Sequence, residues 1–195
     1  MTQYTELQLD ALRELANIGS GNASTALSGM LGRSVDISVP KAQALPFAEA
    51  VDAVGPAEQE TTGIVLGIVG EMTGTVLLLV PPADADGMCR MLGVEPHDEF
   101  ALSALGEIGN IVGTSYINAL ASMTGMGIAP TPPATATDML GALVASVLAD
   151  HAHAGDIALM LDSNLVVEGA DCAISFFLVP DQGGVELLLS RLGLG

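Results

Sequence analysis

From residue 7 the chain places Leu7, Ala11, Leu15 and Ile18 at steps of four, four and three, the spacing of one face of an α-helix. Asp10, Glu14 and Asn17 occupy the neighbouring arc, within ~60° of one another at 100° per residue. The layout returns further on, with Phe100, Ala104, Ile108 and Ile111 beside Ser103, Glu107 and Asn110. Both segments therefore predict long helices with a core face and a narrow polar face. In the first half the short apolar stretch Phe47–Val54 precedes two strand-like runs, GIVLGIVG from Gly63 and GTVLLLVP from Gly74. PADADGMCRMLG then reads as a short helix that Asp84 or Asp86 caps and Gly93 ends. In the second half MLGALVASVLA, IALMLDSNLVVE, CAISFFLVP and DQGGVELLLSRLG follow in the same order. Each half reads as long helix, short helix, two strands and final helix. No long crossover separates the paired strands, which makes them antiparallel.

The two halves are also alike residue by residue. At a shift of 93, Ala11, Leu12, Glu14, Asn17, Ile18, Ala26, Leu27, Met30, Gly32 and Pro40 recur as Ala104, Leu105, Glu107, Asn110, Ile111, Ala119, Leu120, Met123, Gly125 and Pro133. Duplication is the best account of these identities. The expected fold is an α+β domain of pseudo-twofold symmetry, long helices packed on an antiparallel sheet. It spans residues 1–195 as two repeats, about 1–95 and 96–195.

Composition narrows the function. Apolar residues make up 50% of the chain and aromatics 3%, with no Trp, so the core is built from Leu, Val, Ile, Ala and Met. Twenty-three acidic residues face five basic ones, Lys41 being the only lysine, and the net charge of −18 argues against nucleic acid and anionic lipid as partners. A dense acidic surface nearly free of lysine resembles the adaptation of salt-in halophiles; an ordinary acidic cytosolic protein is the alternative. Cys89 and Cys172 have no C-x-x-C spacing and read as reduced, packed thiols, consistent with a cytoplasmic setting. MTQYTELQLD lacks the basic and apolar regions of a signal peptide. The uncharged run from Ile108 to Thr137, with Gly109 and Gly113 at G-x-x-x-G spacing, holds two asparagines and three prolines and has no basic flank, so it reads as a buried helix followed by a loop.

Several chemistries find no support. GSGNAS from Gly19 follows a helix and lacks the lysine of a phosphate-binding loop, and reads as a close-packed break between two helical segments. No G-x-S-x-G occurs, and neither cysteine has a histidine close by in sequence. His151 and His153 form an isolated H-A-H, too little for a metal site, and His97 falls near the start of the second long helix as a cap or an exposed side chain. The repeated Glu-x-x-Asn remains. One copy could simply solvate a helix, but two copies at identical offsets, using Asn despite its poor helix propensity, favour function.

Asp10-x3-Glu14-x2-Asn17-x22-Pro40 and Ser103-x3-Glu107-x2-Asn110-x22-Pro133 resemble the paired signature of the CheC family of chemotaxis phosphatases, which includes CheX and the phosphatase domain of FliY. ANIGSGNASTALS, SVDISVPKAQALP and GEIGNIVGTSYINAL extend the resemblance over most of the chain. It implies hydrolysis of the aspartyl phosphate on the response regulator CheY. Glu14 and Glu107 would then hold the regulator's active-site lysine, and Asn17 and Asn110 would orient the attacking water. Asp10 and Ser103 would open the motifs, and Pro40 and Pro133 would close them by shaping the chain beside each helix. The resemblance implies no cofactor belonging to this chain, the Mg²⁺ being the regulator's. Members of the family also bind the deamidase CheD, so an adaptor that binds CheD or CheY without catalysis is the rival reading.

Overall fold

A computed structural model describes residues 5–151, 157–167 and 170–195. The elements run α1 (Glu6–Leu31), β1 (Val35–Pro46), α2 (Phe47–Val54), β2 (Glu60–Gly70), β3 (Gly74–Val80), α3 (Pro82–Met91), α4 (Ala101–Thr124), β4 (Ile128–Pro130), β5 (Ala134–Met139), α5 (Leu140–His151), β6 (Ile157–Val167), β7 (Ala170–Pro180) and α6 (Gly184–Arg191). All the strands join one antiparallel sheet in the order β1-β6-β7-β3-β2-β4, with β5 also on β2. The α+β expectation holds, and the element order needs one addition. A strand follows each long helix: β1 in the first half, and β4 with β5 in the second. Their sequences hid them. Pro40 and Lys41 interrupt the alternation of Val35, Ile37 and Val39, and ATATDM has hardly any large apolar residue because five of its six positions are exposed on the sheet edge.

Period-two alternation divides the core between the two sheet faces. Val76, Leu78 and Val80 of β3, with Ile174, Phe176 and Leu178 of β7, meet Leu12, Leu15 and Leu27 of α1 and Leu105, Ile108 and Leu120 of α4 in one cluster. Leu77, Leu79, Phe177 and Val179 point the other way, into a second cluster closed by Ala50 of α2 and by Leu140, Val144 and Val147 of α5. The long helices thus lie on one face and the short α2 and α5 on the other.

Two sequence-based expectations fail in α1 and α3. GSGNAS does not break α1, which runs unbroken from Glu6 to Leu31. The close packing expected there is real: a Cβ at Gly19 would stand 2.6 Å from Cδ1 of Tyr116 on α4. α3 begins on Pro81 and Pro82 with no side-chain cap, so neither Asp84 nor Asp86 caps it; a proline ring already supplies the dihedral of a first turn. Gly93 does follow its end, with a left-handed φ of 71°. The G-x-x-x-G run serves sheet packing, because Cβ atoms at Gly109 and Gly113 would come within 2.6 and 2.9 Å of Ile64 and Leu66. Among the described residues no helix is long and apolar enough to cross a membrane.

The two halves repeat a detail of register. On β1, Ser38 pairs with Asn164 and Lys41 with Asp162, so Val39 and Pro40 face the single residue Ser163. On the opposite edge Pro130 pairs with Ile68 and Ala134 with Val65, so Thr131, Pro132 and Pro133 face Leu66 and Gly67. Each edge therefore carries one extra residue, at Pro40 and at Pro133. A proline lacks the N–H that a regular ladder needs, so a bulge on an edge is where it fits.

Candidate functional site

Helix α1 starts on a reciprocal cap. Thr5 Oγ1 accepts from Gln8 N at 3.3 Å, and Thr5 N donates to Gln8 Oε1 at 2.9 Å. With Leu12, Leu15, Ala16 and Gly19 buried, the opposite arc must face solvent, and Asp10, Glu14 and Asn17 are all exposed. Helix α4 begins at Ala101, where Asp98 Oδ1 accepts from Phe100 N at 3.3 Å. Leu105, Ile108, Gly109 and Val112 turn inward, which leaves Ser103 and Glu107 exposed and Asn110 half-buried. Each long helix ends on a glycine at the same place in the repeat, Gly32 and Gly125, with φ of 63° and 67°. The structure thus brings each Glu and Asn together on the outer face of one helix.

The immediate neighbours of the two arcs differ. In α1, Arg13 Nη1 donates to Asp10 Oδ1 at 2.5 Å, an exposed i,i+3 pair. Position 106 of α4, at the shift of 93, is a buried glycine, so Ser103 has no such partner. In α4, Thr114 Oγ1 approaches Asn110 Oδ1 at 3.4 Å, a long contact that still leaves that oxygen a second lone pair. The matching place in α1 is Gly21, where a Cβ would meet nothing within 4 Å. Among the described residues the side chains of Glu14, Asn17 and Glu107 have no hydrogen-bonded partner, so their polar atoms are available to a ligand. The Thr114 contact follows from i,i+4 spacing and could have been found in the sequence.

Pro40 and Pro133 lie at the register steps of the two sheet edges, not on the helices. The edge strand β1 is nevertheless held to α1: Ser24 Oγ accepts from Ile37 N, and Ser28 Oγ from Val35 N, each at 2.9 Å. On the other edge Thr131 N donates to Gly67 O, and Thr131 Oγ1 accepts from Gly67 N, both at 2.9 Å. The first residue of each apolar stripe corrects the sequence reading. Leu7 is 65% exposed and Phe100 60%, although both were expected on the core face. Each sits at the helix entry, Leu7 in the first turn of α1 and Phe100 as the N-cap of α4.

No group of three or more potential metal ligands exists among the described residues. His153 lies outside them. His97 is exposed, with Nε2 3.7 Å from Asp86 Oδ1 and a left-handed φ of 66°. Cys89 and Cys172 are buried free thiols. Burial, followed by Asp84 and Asp171, pushes the Cys172 thiol up to about 11, which makes it a poor nucleophile at neutral pH. An exposed carboxylate beside an exposed amide can grip a cation and orient water.

The sequence signature of the CheC-like family matches residues 7–42 and 100–136, the stretches that hold both Glu-x-x-Asn arcs and both prolines. The chain is 33% identical over 198 aligned positions to the CheY-P phosphatase CheC of Bacillus subtilis, covering 96% of this chain and 95% of that one. Its fold is similar to that of Thermotoga maritima FliY, with a TM-score of 0.76 at 19% identity over 99% of this chain and 98% of the other. A CheX chain solved in a CheX–CheY–BeF3–Mg²⁺ complex from Borrelia burgdorferi is also similar, with a TM-score of 0.53 at 17% identity over 86% of this chain and 98% of the other. By sequence identity along nearly its whole length, the chain belongs to the CheC-like family.

Proposed function

We propose that this protein hydrolyses the aspartyl phosphate of a CheY-type response regulator, with Glu14 and Asn17 forming one site and Glu107 and Asn110 the other. The observation that carries the reading is the outward presentation of the same pair on two helices whose opposite faces are buried. The relative of 33% identity is named a CheY-P phosphatase, and the CheX neighbour was solved with CheY in the presence of BeF3 and Mg²⁺.

An acyl phosphate is already labile, so positioning supplies most of what catalysis needs. Water attacks phosphorus in line as the bond to the aspartyl oxygen breaks. The leaving carboxylate keeps the electron pair, inorganic phosphate departs, and the water's proton passes to solvent or to phosphate. Asn17 or Asn110 accepts a hydrogen bond from the attacking water through its side-chain carbonyl and so fixes the lone pair toward phosphorus. Glu14 or Glu107 engages the regulator's lysine ammonium and sets the register of the two proteins. Asp10 and Ser103 open the arcs, the former held by Arg13, and Pro40 and Pro133 shape the sheet edges beneath them. The divalent ion belongs to the regulator's phosphorylation site, where it neutralises phosphoryl oxygens.

The same reading takes residues about 1–95 and 96–195 as two repeats of one domain with one site each, supported by the matching register steps at Pro40 and Pro133. It keeps the protein in the cytoplasm, with its regulator. The test is to load a cognate regulator from a small phosphodonor and follow phosphoryl loss with and without the protein. Faster loss is expected; binding without faster loss would replace the phosphatase by the adaptor that engages CheY or CheD.

A further inference from the structure

We propose that Leu7 and Phe100 are apolar anchors for the phosphorylated regulator, one beside each site, an inference that rests on the phosphatase reading. Singly exposed apolar residues are common on protein surfaces and need no explanation. These two differ in being the same position of the repeat, both exposed by more than half, at 65% and 60%.

Their placement relative to the Glu-x-x-Asn arcs is also the same. Seven residues separate Leu7 from Glu14 and Phe100 from Glu107, which for Leu7 in the first turn of α1 means ~20° of rotation and ~10 Å along the axis, and for Phe100, the N-cap of α4 with dihedrals in the helical region, close to the same. Each anchor therefore lies on the line of its glutamate, on the side away from its asparagine. Leu102 is likewise exposed but is turned ~100° from the arc. A specific interface buries roughly 800 Å² on each partner, a patch of ~16 Å radius. A regulator seated with its aspartyl phosphate against Asn17 or Asn110 reaches Leu7 or Phe100, ten residues and ~15 Å along the axis, at the rim of such a patch.

Chemistry favours the same occupant. The arc itself offers only carboxylate, amide and hydroxyl groups to a partner, and exposed polar contacts orient more than they hold. The chain's net charge of −18 gives no long-range attraction to an acidic partner. A leucine or a phenylalanine at the edge of the arc supplies affinity that is indifferent to charge and persists in salt.

The test compares the parent with Leu7→Ser, Phe100→Ser and the double variant, using the cognate regulator loaded with beryllofluoride and Mg²⁺ as a binding probe and the phosphorylated regulator as substrate. In the double variant Kd and KM should rise roughly tenfold or more, with kcat at saturation and the thermal midpoint unchanged. Leu7→Met and Phe100→Leu should keep parental affinity. Unchanged Kd in the folded double variant overturns the proposal. So does a parent dimer that the serine variants dissolve without altering Kd, which would assign the anchors to a second copy of this chain. The phosphatase reading fails separately, on an Asn17→Ala, Asn110→Ala variant that retains the parental rate, and the beryllofluoride measurement reads the anchors in either case.

Discussion

An amide is neither acid nor base near neutral pH, so replacing Asn17 and Asn110 tests positioning and nothing else. Asn17→Ala and Asn110→Ala should each remove the contribution of one site, and together they should abolish accelerated phosphoryl loss while the phosphorylated regulator still binds. Circular dichroism should show both variants folded, since alanine improves helix propensity. Glu14→Ala with Glu107→Ala should instead raise KM, through loss of the contact with the regulator's lysine. The buried cysteines give a residue-scale prediction unconnected with catalysis. Burial and two nearby aspartates raise Cys172 from 9.0 to about 11, and burial also raises Cys89. Iodoacetamide at pH 8 should therefore label the native protein far more slowly than the unfolded chain. The thiols stay neutral in both states below pH 9, and as pH rises toward 11 the unfolded chain ionises first, so their contribution to stability is lost there.

At the scale of elements, two glycines on the long helices should respond in opposite ways to alanine. Gly21 is exposed in the interior of α1 and a Cβ there meets nothing, so Gly21→Ala should raise stability by about 1 kcal/mol. Gly109 seats α4 on the sheet, where an added Cβ would stand 2.6 Å from Cγ2 of the buried Ile64. Gly109→Ala should cost about 1–3 kcal/mol in chemical denaturation. A second element-scale tie runs through Glu71 in the β2–β3 turn. Its carboxylate accepts from Gly127 N at 2.6 Å, just before β4, and from Arg191 Nη2 at 2.9 Å at the end of α6. The Gly127 N–H first, then Arg191, hold Glu71 below the ordinary carboxylate value of 4.5. Its contribution is present above that value and disappears as pH falls through the lowered one. Glu71→Gln should flatten that part of the acid-unfolding curve, and an unchanged curve would show that the contact contributes no stability.

For the whole molecule the governing quantity is the net charge of −18. Like charges repel across the folded surface and between this protein and an acidic regulator, and ~1 M salt screens both within about 3 Å. Thermal stability and the rate of phosphoryl loss should both rise between low and molar salt. Equal values at the two ionic strengths would remove the halophilic reading of the composition. The two halves also interleave at this scale, since their strands pair across four ladders, β1 with β6, β3 with β7, and β2 with both β4 and β5. Neither half owns the sheet alone.

The chain's own pattern determined the long helices, the paired antiparallel strands and the Glu-x-x-Asn arcs, because periodicity and spacing are local and the arc spacing occurs twice. Gly32 and Gly125 could be recognised as helix ends for the same reason, as could the short helix at Phe47–Val54. Only the tertiary structure showed the edge strands β1, β4 and β5, whose sequences carry a bulge or little apolar signal because one neighbour is missing. It alone made α1 continuous through GSGNAS, since Gly19 is there to admit Tyr116 from another helix, a contact 97 residues away in the chain. Leu7 and Phe100 fit the helical core pattern, and only the packed structure shows them exposed. Hydrophobic periodicity states which residues can share a face, but whether that face is covered along its whole length depends on packing against other elements.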